Sequence, residues 1–103
     1  MSQDRLQALQ SLLEQNPENA FVRYGLAQTL AAAGHLAEAV AAYRELLSRD
    51  PLYVAAYYHG GQTLEKLGDV EAAKKIYEEG LDACSRKGDM HTRSEIQAAL
   101  DML

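Results

Sequence analysis

The chain has 103 residues, the size of a single domain, and its 15 acidic and 10 basic residues give a formal net charge of −5. Nucleic-acid binding needs a concentrated basic surface, so this charge argues against a DNA or RNA partner. No apolar run approaches the roughly 20 residues of a membrane span, and the charged N-terminal segment lacks the apolar core of a signal sequence. The single cysteine, Cys84, cannot form an internal disulfide, and we therefore expect a cytoplasmic protein without a membrane segment.

The first predicted element is an amphipathic helix in residues 1–16. Its leucines recur at the three- and four-residue intervals that place side chains on one face of a helix: Leu6, Leu9, Leu12 and Leu13. The pattern matches the second helix of the unit that follows, so we expect this helix to act as a leading half-repeat.

The next two segments, residues 17–50 and 51–84, are copies of one unit of 34 residues. Sliding the first copy onto the second without a gap aligns ten identical residues. Within each copy the apolar residues follow helical spacing. Gly34 and Gly68 interrupt the copies midway, where a residue with left-handed backbone can end a helix. Each copy is therefore predicted to form two antiparallel helices joined by a tight turn.

The last predicted element is a helix in residues 89–103. Its apolar residues share one face: Ile96, Ala99, Leu100 and Leu103. Thr92 and Glu95 have the spacing of a capping box, which predicts Thr92 at the N-cap. The whole chain is then predicted to contain about six helices and no strand.

Four glycines fall inside the predicted helices: Gly25, Gly60, Gly61 and Gly80. A glycine in a helix interior costs about 1 kcal/mol relative to alanine. These glycines therefore indicate either close contacts between helices or a fold of modest stability.

The repeated unit resembles the tetratricopeptide repeat. The resemblance rests on residues at fixed places in the two copies: Leu26, Ala27, Gly34, Ala39, Tyr43 and Pro51 in the first, and Tyr57, Gly61, Gly68, Ala73 and Tyr77 in the second. It implies an all-α fold in which residues 1–103 form one domain. This domain would be a solenoid, a right-handed α-α superhelix of antiparallel helix-turn-helix repeats.

The resemblance also implies a function, because in this family the first helices of successive repeats line a concave groove that holds a peptide. Carried over by position, the groove would be lined by Phe21, Tyr24, Gln28, Ala31, Ala55, Tyr58, His59, Gln62 and Glu65. Tyrosine offers a rigid apolar body with a hydroxyl tip, and side-chain amides can pair with a peptide backbone. The alternative for Tyr24 and Tyr58 is packing between neighbouring helices.

A well-known ligand of the family is the C-terminal carboxylate of heat-shock chaperones, and this chain does not match the residues that bind it. That ligand requires an inward-facing lysine and asparagine, where this chain has Tyr24 and Gln28. We therefore expect a more neutral or apolar peptide.

Catalytic, cofactor and metal sites are not predicted. The three histidines have no partner at the short spacing of a helical zinc site, and no nucleophile stands beside a base. The leading hypothesis is a non-catalytic adaptor that binds a protein or peptide partner. The alternatives are a self-association module that forms a homodimer and a helical-repeat RNA binder of the pentatricopeptide type, which the acidic charge disfavours.

Overall fold

A computed structural model describes residues 2–103, which form six α-helices joined by short turns. They are α1 (Ser2–Gln15), α2 (Ala20–Ala32), α3 (Leu36–Arg49), α4 (Ala55–Leu67), α5 (Val70–Lys87) and α6 (Met90–Asp101). This described part of the chain contains no strand, and none of its helices is long and apolar enough to cross a membrane. The prediction of an all-α chain with six helices is confirmed.

Each helix packs on the next, and the array curves in one direction. The backbones of α2 and α4 and of α4 and α6 approach each other, whereas in residues 2–103 no Cα atoms of α1, α3 and α5 come within 8 Å of one another. The even-numbered helices are therefore closer together and lie on the inner side of the curve. We call α2, α4 and α6 the inner helices and α1, α3 and α5 the outer helices.

Glycines end three of the six helices, as predicted for Gly34 and Gly68. Their φ angles are 86° and 85°, and Gly88 after α5 repeats the arrangement with a φ of 83°. The next residue donates its N–H to a carbonyl five residues back, as in His35 to Leu30 and in the equivalent bonds after Gly68 and Gly88. Left-handed backbone at glycine thus closes these helices with the six-to-one bond of a Schellman motif.

The predicted cap of α6 is wrong. The N-cap is Asp89, and its carboxylate accepts hydrogen bonds from the Thr92 N–H at 3.0 Å and the Thr92 hydroxyl at 2.8 Å. Thr92 therefore lies inside the first turn as a donor. Because Asp89 directly follows the left-handed Gly88, α6 begins immediately after the end of α5. The ionised Asp89 carboxylate then lies at the start of α6, where it accepts hydrogen bonds.

Two apolar clusters form the core, and each contains one of the equivalent tyrosines Tyr43 and Tyr77. The N-terminal cluster joins α1, α2, α3 and the start of α4 around Tyr43, which is 1% exposed. The C-terminal cluster joins α4, α5 and α6, together with Val40 of α3, around Tyr77 and Ile96, both 0% exposed. Each cluster thus spans neighbouring helix pairs and holds the inner helices in register.

Candidate functional site

An aromatic cluster lies where α2 approaches α4, with Tyr24 at its centre. The ring centroid of Tyr24 lies 5.1 Å from that of Tyr53, 5.9 Å from the His59 imidazole and 6.3 Å from Tyr43. Tyr58 extends the cluster, because its ring lies 5.2 Å from His59. Side chains from two inner helices, one outer helix and the turn before α4 therefore meet in one place, at the distances that aromatic pairs prefer.

Side-chain amides border the aromatic cluster on both inner helices. Gln28 Nε2 donates a hydrogen bond of 3.2 Å to Tyr24 Oη, and Gln62 forms a side-chain hydrogen bond with His59. Burial lowers the pKa of His59, although this hydrogen bond and the charge of Glu95 oppose the shift. The imidazole is therefore neutral at pH 7 and offers both a donor and an acceptor nitrogen.

A cavity of about 200 Å³ opens between α2 and α4 beside these rings. We call it the inner cavity. Four of its lining residues were predicted from the sequence: Gln28, Ala31, His59 and Gln62. Sequence reasoning missed the other four as site residues: Ala32, Tyr43, Thr63 and Lys66.

Three predicted residues belong neither to the lining of the inner cavity nor to the aromatic cluster. Phe21 is in the first turn of α2 and is 74% exposed, and Ala55 is the first residue of α4 and is half-buried. Glu65 is exposed, and its carboxylate accepts a hydrogen bond from the Tyr77 hydroxyl. Glu65 therefore has a partner within the chain.

Tyr24 and Tyr58 both pack against the core, which is one of the two roles considered for them. Tyr24 packs against the N-terminal cluster and Tyr58 against the C-terminal one, and both stay partly exposed. The missed Tyr53 had no signal in the repeat, because its counterpart 34 residues earlier is Asn19. Packing thus fixes the orientation of rings that also contact solvent.

A larger cavity of about 690 Å³ lies on the other side of the array, between α3 and α5. Its rim carries both signs of charge, including Arg44 on α3 and Asp82 and Arg86 on α5. Asp82 and Arg86 already approach each other to 4.0 Å across one helical turn. This outer cavity contains none of the predicted groove residues, and its mixed charge selects no ligand.

Within residues 2–103, the groups that could support redox or metal chemistry are not brought together. Cys84 is 0% exposed, and burial raises the pKa of its thiol, so the thiolate is disfavoured. Among residues 2–103 no group of three or more histidine, cysteine, aspartate or glutamate side chains could hold a metal ion. The chemistry that the inner helices present consists of aromatic faces, amides and hydroxyls, which suit non-covalent recognition.

Six helices, paired around left-handed glycines and repeating every 34 residues, define a helical-repeat protein. The sequence profile of the tetratricopeptide repeat matches residues 6–45 and 24–87. The chain belongs to this family, as its sequence predicts.

Similar proteins span most of the chain. A TPR repeat-containing protein of Pseudomonas aeruginosa is 26% identical over 98 residues, which cover 95% of this chain and 93% of that protein. A tetratricopeptide repeat domain protein from Salinibacter ruber, solved by NMR, is 35% identical with a TM-score of 0.77, covering 82% of this chain and 86% of its own. PcrH, crystallised with the chaperone binding region of PopD, has a TM-score of 0.90 over 98% of this chain and 77% of its own. Its identity is 17%, so this likeness is one of fold.

Proposed function

We propose that this chain is a non-catalytic, cytoplasmic interaction module that binds a segment of a partner protein on its inner side. The two repeats would be residues 17–50 and 51–84, between the leading helix of residues 1–16 and the capping helix of residues 89–103. The binding surface would be the aromatic cluster, the inner cavity and the exposed residues of α2 and α4 beside them.

The observation that carries the proposal is the fixed arrangement of partly exposed tyrosine rings and amides beside a cavity. Tyr24 is held by three rings and by Gln28, so binding would cost little side-chain entropy. Tyrosine is enriched at interface positions that dominate affinity. PcrH, a protein of the same fold, binds a region of PopD, which supports the same use of the fold here.

Selection of peptides from a random displayed library of dodecapeptides tests the proposal. Enriched peptides, synthesised with a fluorophore and an amidated C-terminus, are titrated with the purified chain by fluorescence anisotropy. The double variant Gln28→Glu/Gln62→Glu replaces the amide donors of both inner helices by carboxylates and is expected to weaken binding by at least about tenfold.

The matched control makes the same two changes on α1. Gln7 and Gln10 are exposed on this outer helix, and Gln7→Glu/Gln10→Glu adds the same charge away from the inner side. We expect this control to bind as the wild type does. No enrichment of peptides, or equal weakening by both double variants, would reject an inner peptide-binding surface.

Self-association is the second candidate, and exposed apolar side chains favour it. Met102 is 87% exposed, Phe21 74% and Met90 53%, so both α2 and α6 carry uncovered apolar surface. Sedimentation equilibrium distinguishes the two candidates. A mass that rises with concentration towards twice 11.3 kDa supports a homodimer, and a constant 11.3 kDa rejects it.

A further inference from the structure

The two buried tyrosines of the repeat differ in what their hydroxyls bind. Tyr43 and Tyr77 are equivalent residues 34 positions apart, and they are 1% and 0% exposed. The Tyr77 hydroxyl donates to the Glu65 carboxylate on the neighbouring inner helix. The residue equivalent to Glu65 in the first repeat is Ala31, which has no acceptor side chain.

The Tyr43 hydroxyl is consequently a donor without an acceptor. It has no hydrogen-bond partner among the described residues, and in this part of the chain no buried side-chain oxygen or nitrogen lacks a partner. Both statements hold only if the Tyr43 hydroxyl oxygen keeps a trace of solvent contact, within the 1% exposure of the whole residue. Tyr43 and Ala31 both line the inner cavity. In the first repeat this cavity therefore takes the place that the Glu65 side chain has in the second repeat.

The other polar groups around the inner cavity also favour an anionic acceptor. Lys66 lines the cavity, is exposed, and forms no ion pair within residues 2–103. The amides of Gln28 and Gln62 add N–H donors. None of the lining residues is acidic, so the cavity offers a hydroxyl, an ammonium group and amides but no carboxylate.

We propose that the inner cavity binds the side-chain carboxylate of one aspartate or glutamate in the partner segment. The carboxylate would accept a hydrogen bond from Tyr43 Oη, as Glu65 does from Tyr77, and Lys66 would balance its charge. This inference rests on the proposed function and specifies its ligand. The net charge of −5 repels an acidic run, so the segment carries a single acidic residue in a neutral or apolar context.

The peptides selected from the random library provide the test. We expect one position to be aspartate or glutamate in most binders, and its replacement by asparagine or glutamine to weaken binding by about tenfold or more. Tyr43→Phe and Lys66→Met should each remove most of this difference between the acidic peptide and its amide version. The amidated C-terminus ensures that the effect belongs to the side chain.

Two further variants exploit the repeat. Tyr77→Phe deletes the equivalent hydroxyl, which already donates a hydrogen bond to Glu65. This variant should therefore keep the full preference for the acidic peptide. Ala31→Glu adds to the first repeat the carboxylate that it lacks. This carboxylate would occupy the Tyr43 hydroxyl, so the variant should no longer bind the acidic peptide. Circular dichroism establishes that each variant is folded.

The outcomes separate the two proposals. Binders that depend on the inner helices but show no acidic position overturn the carboxylate site and leave the interaction module standing. An acidic preference that survives both Tyr43→Phe and Lys66→Met also overturns it, because the carboxylate then binds elsewhere. No binders at all would reject the module and the carboxylate site together.

Discussion

Gly61 lies directly against the ring of Tyr77. A Cβ built on Gly61 would come within 2.6 Å of Tyr77 Cδ1, closer than a side chain can stand without displacing the ring. The ring is 0% exposed and is held by the C-terminal cluster, so it has no free space to move into. The absence of a side chain at Gly61 therefore allows α4 and α5 to pack together.

We predict that Gly61→Ala destabilises the fold by about 1–3 kcal/mol, the usual cost of an overpacked core. This loss would exceed the gain of up to about 1 kcal/mol that alanine brings to a helix interior. The free energy of unfolding in urea, followed by circular dichroism at 222 nm, gives the difference between variant and wild type.

Gly25→Ala is the matched control, because the same change is made in the interior of α2. Its Cβ would lie 3.7 Å from Leu9 Cδ2, an ordinary contact, so only the gain in helix propensity remains. We expect Gly25→Ala to stabilise the fold by about 0.5–1 kcal/mol. A loss of stability in Gly25→Ala, or none in Gly61→Ala, would contradict the assigned packing.

The repeat made the helices and turns predictable from the sequence. Helical spacing is a local property, and left-handed backbone at Gly34 and Gly68 follows from their place between two apolar stripes. The number of helices follows directly. The sequence could not decide whether Gly25 and Gly61 mark close contacts between helices or a fold of modest stability. That choice depends on which atoms of another helix face each glycine.

The misses have the same cause, since they depend on three-dimensional neighbours. Asp89 caps α6 because Gly88 ends α5 immediately before it, which a search for a Ser/Thr capping box overlooks. Glu65 was placed in the groove from the sequence, without the hydrogen bond that its carboxylate accepts from Tyr77 on the next helix. The sequence signal for this hydrogen bond was a comparison of the two copies. Tyr77 is matched by Tyr43, whereas Glu65 is matched by Ala31, which has no carboxylate.

Gly80 provides a second packing prediction, at the junction of three helices. A Cβ there would lie 2.6 Å from Tyr57 Cβ on α4 and 2.9 Å from Ile96 Cδ1 on α6. Gly80→Ala should cost about 1–3 kcal/mol and displace α6. Hydrogen exchange then distinguishes local from global effects: we expect α6 amides to lose more protection than α2 amides. Equal loss along the whole chain would argue against a junction at Gly80.

The two buried phenols should respond differently to loss of the hydroxyl. Tyr77→Phe removes the hydrogen bond to Glu65 and is expected to cost about 1 kcal/mol. Tyr43→Phe removes a hydroxyl that has no partner in residues 2–103, and its effect should stay within about 0.5 kcal/mol. Chemical denaturation of the two variants in parallel measures both values. A larger loss in Tyr43→Phe would mean that its hydroxyl is bound within the fold.

His59 should make the stability of the fold depend on pH. Burial lowers its folded-state pKa below the ordinary 6.5, and Glu95 and Gln62 only partly oppose this shift. Between the folded and unfolded pKa values the unfolded chain binds a proton that the folded chain does not. Stability contributed by neutral His59 is therefore complete above about pH 7.5 and falls as the pH decreases through this window.

Melting temperatures of the wild type and of His59→Gln, recorded between pH 8 and pH 5, measure this dependence. On acidification the melting temperature of the wild type should fall further than that of the variant, which has no imidazole at this position. His35 and His91 are present in both proteins, so any contribution they make is the same on both sides of the comparison. Parallel pH profiles would mean that residue 59 is as well solvated in the fold as in the unfolded chain.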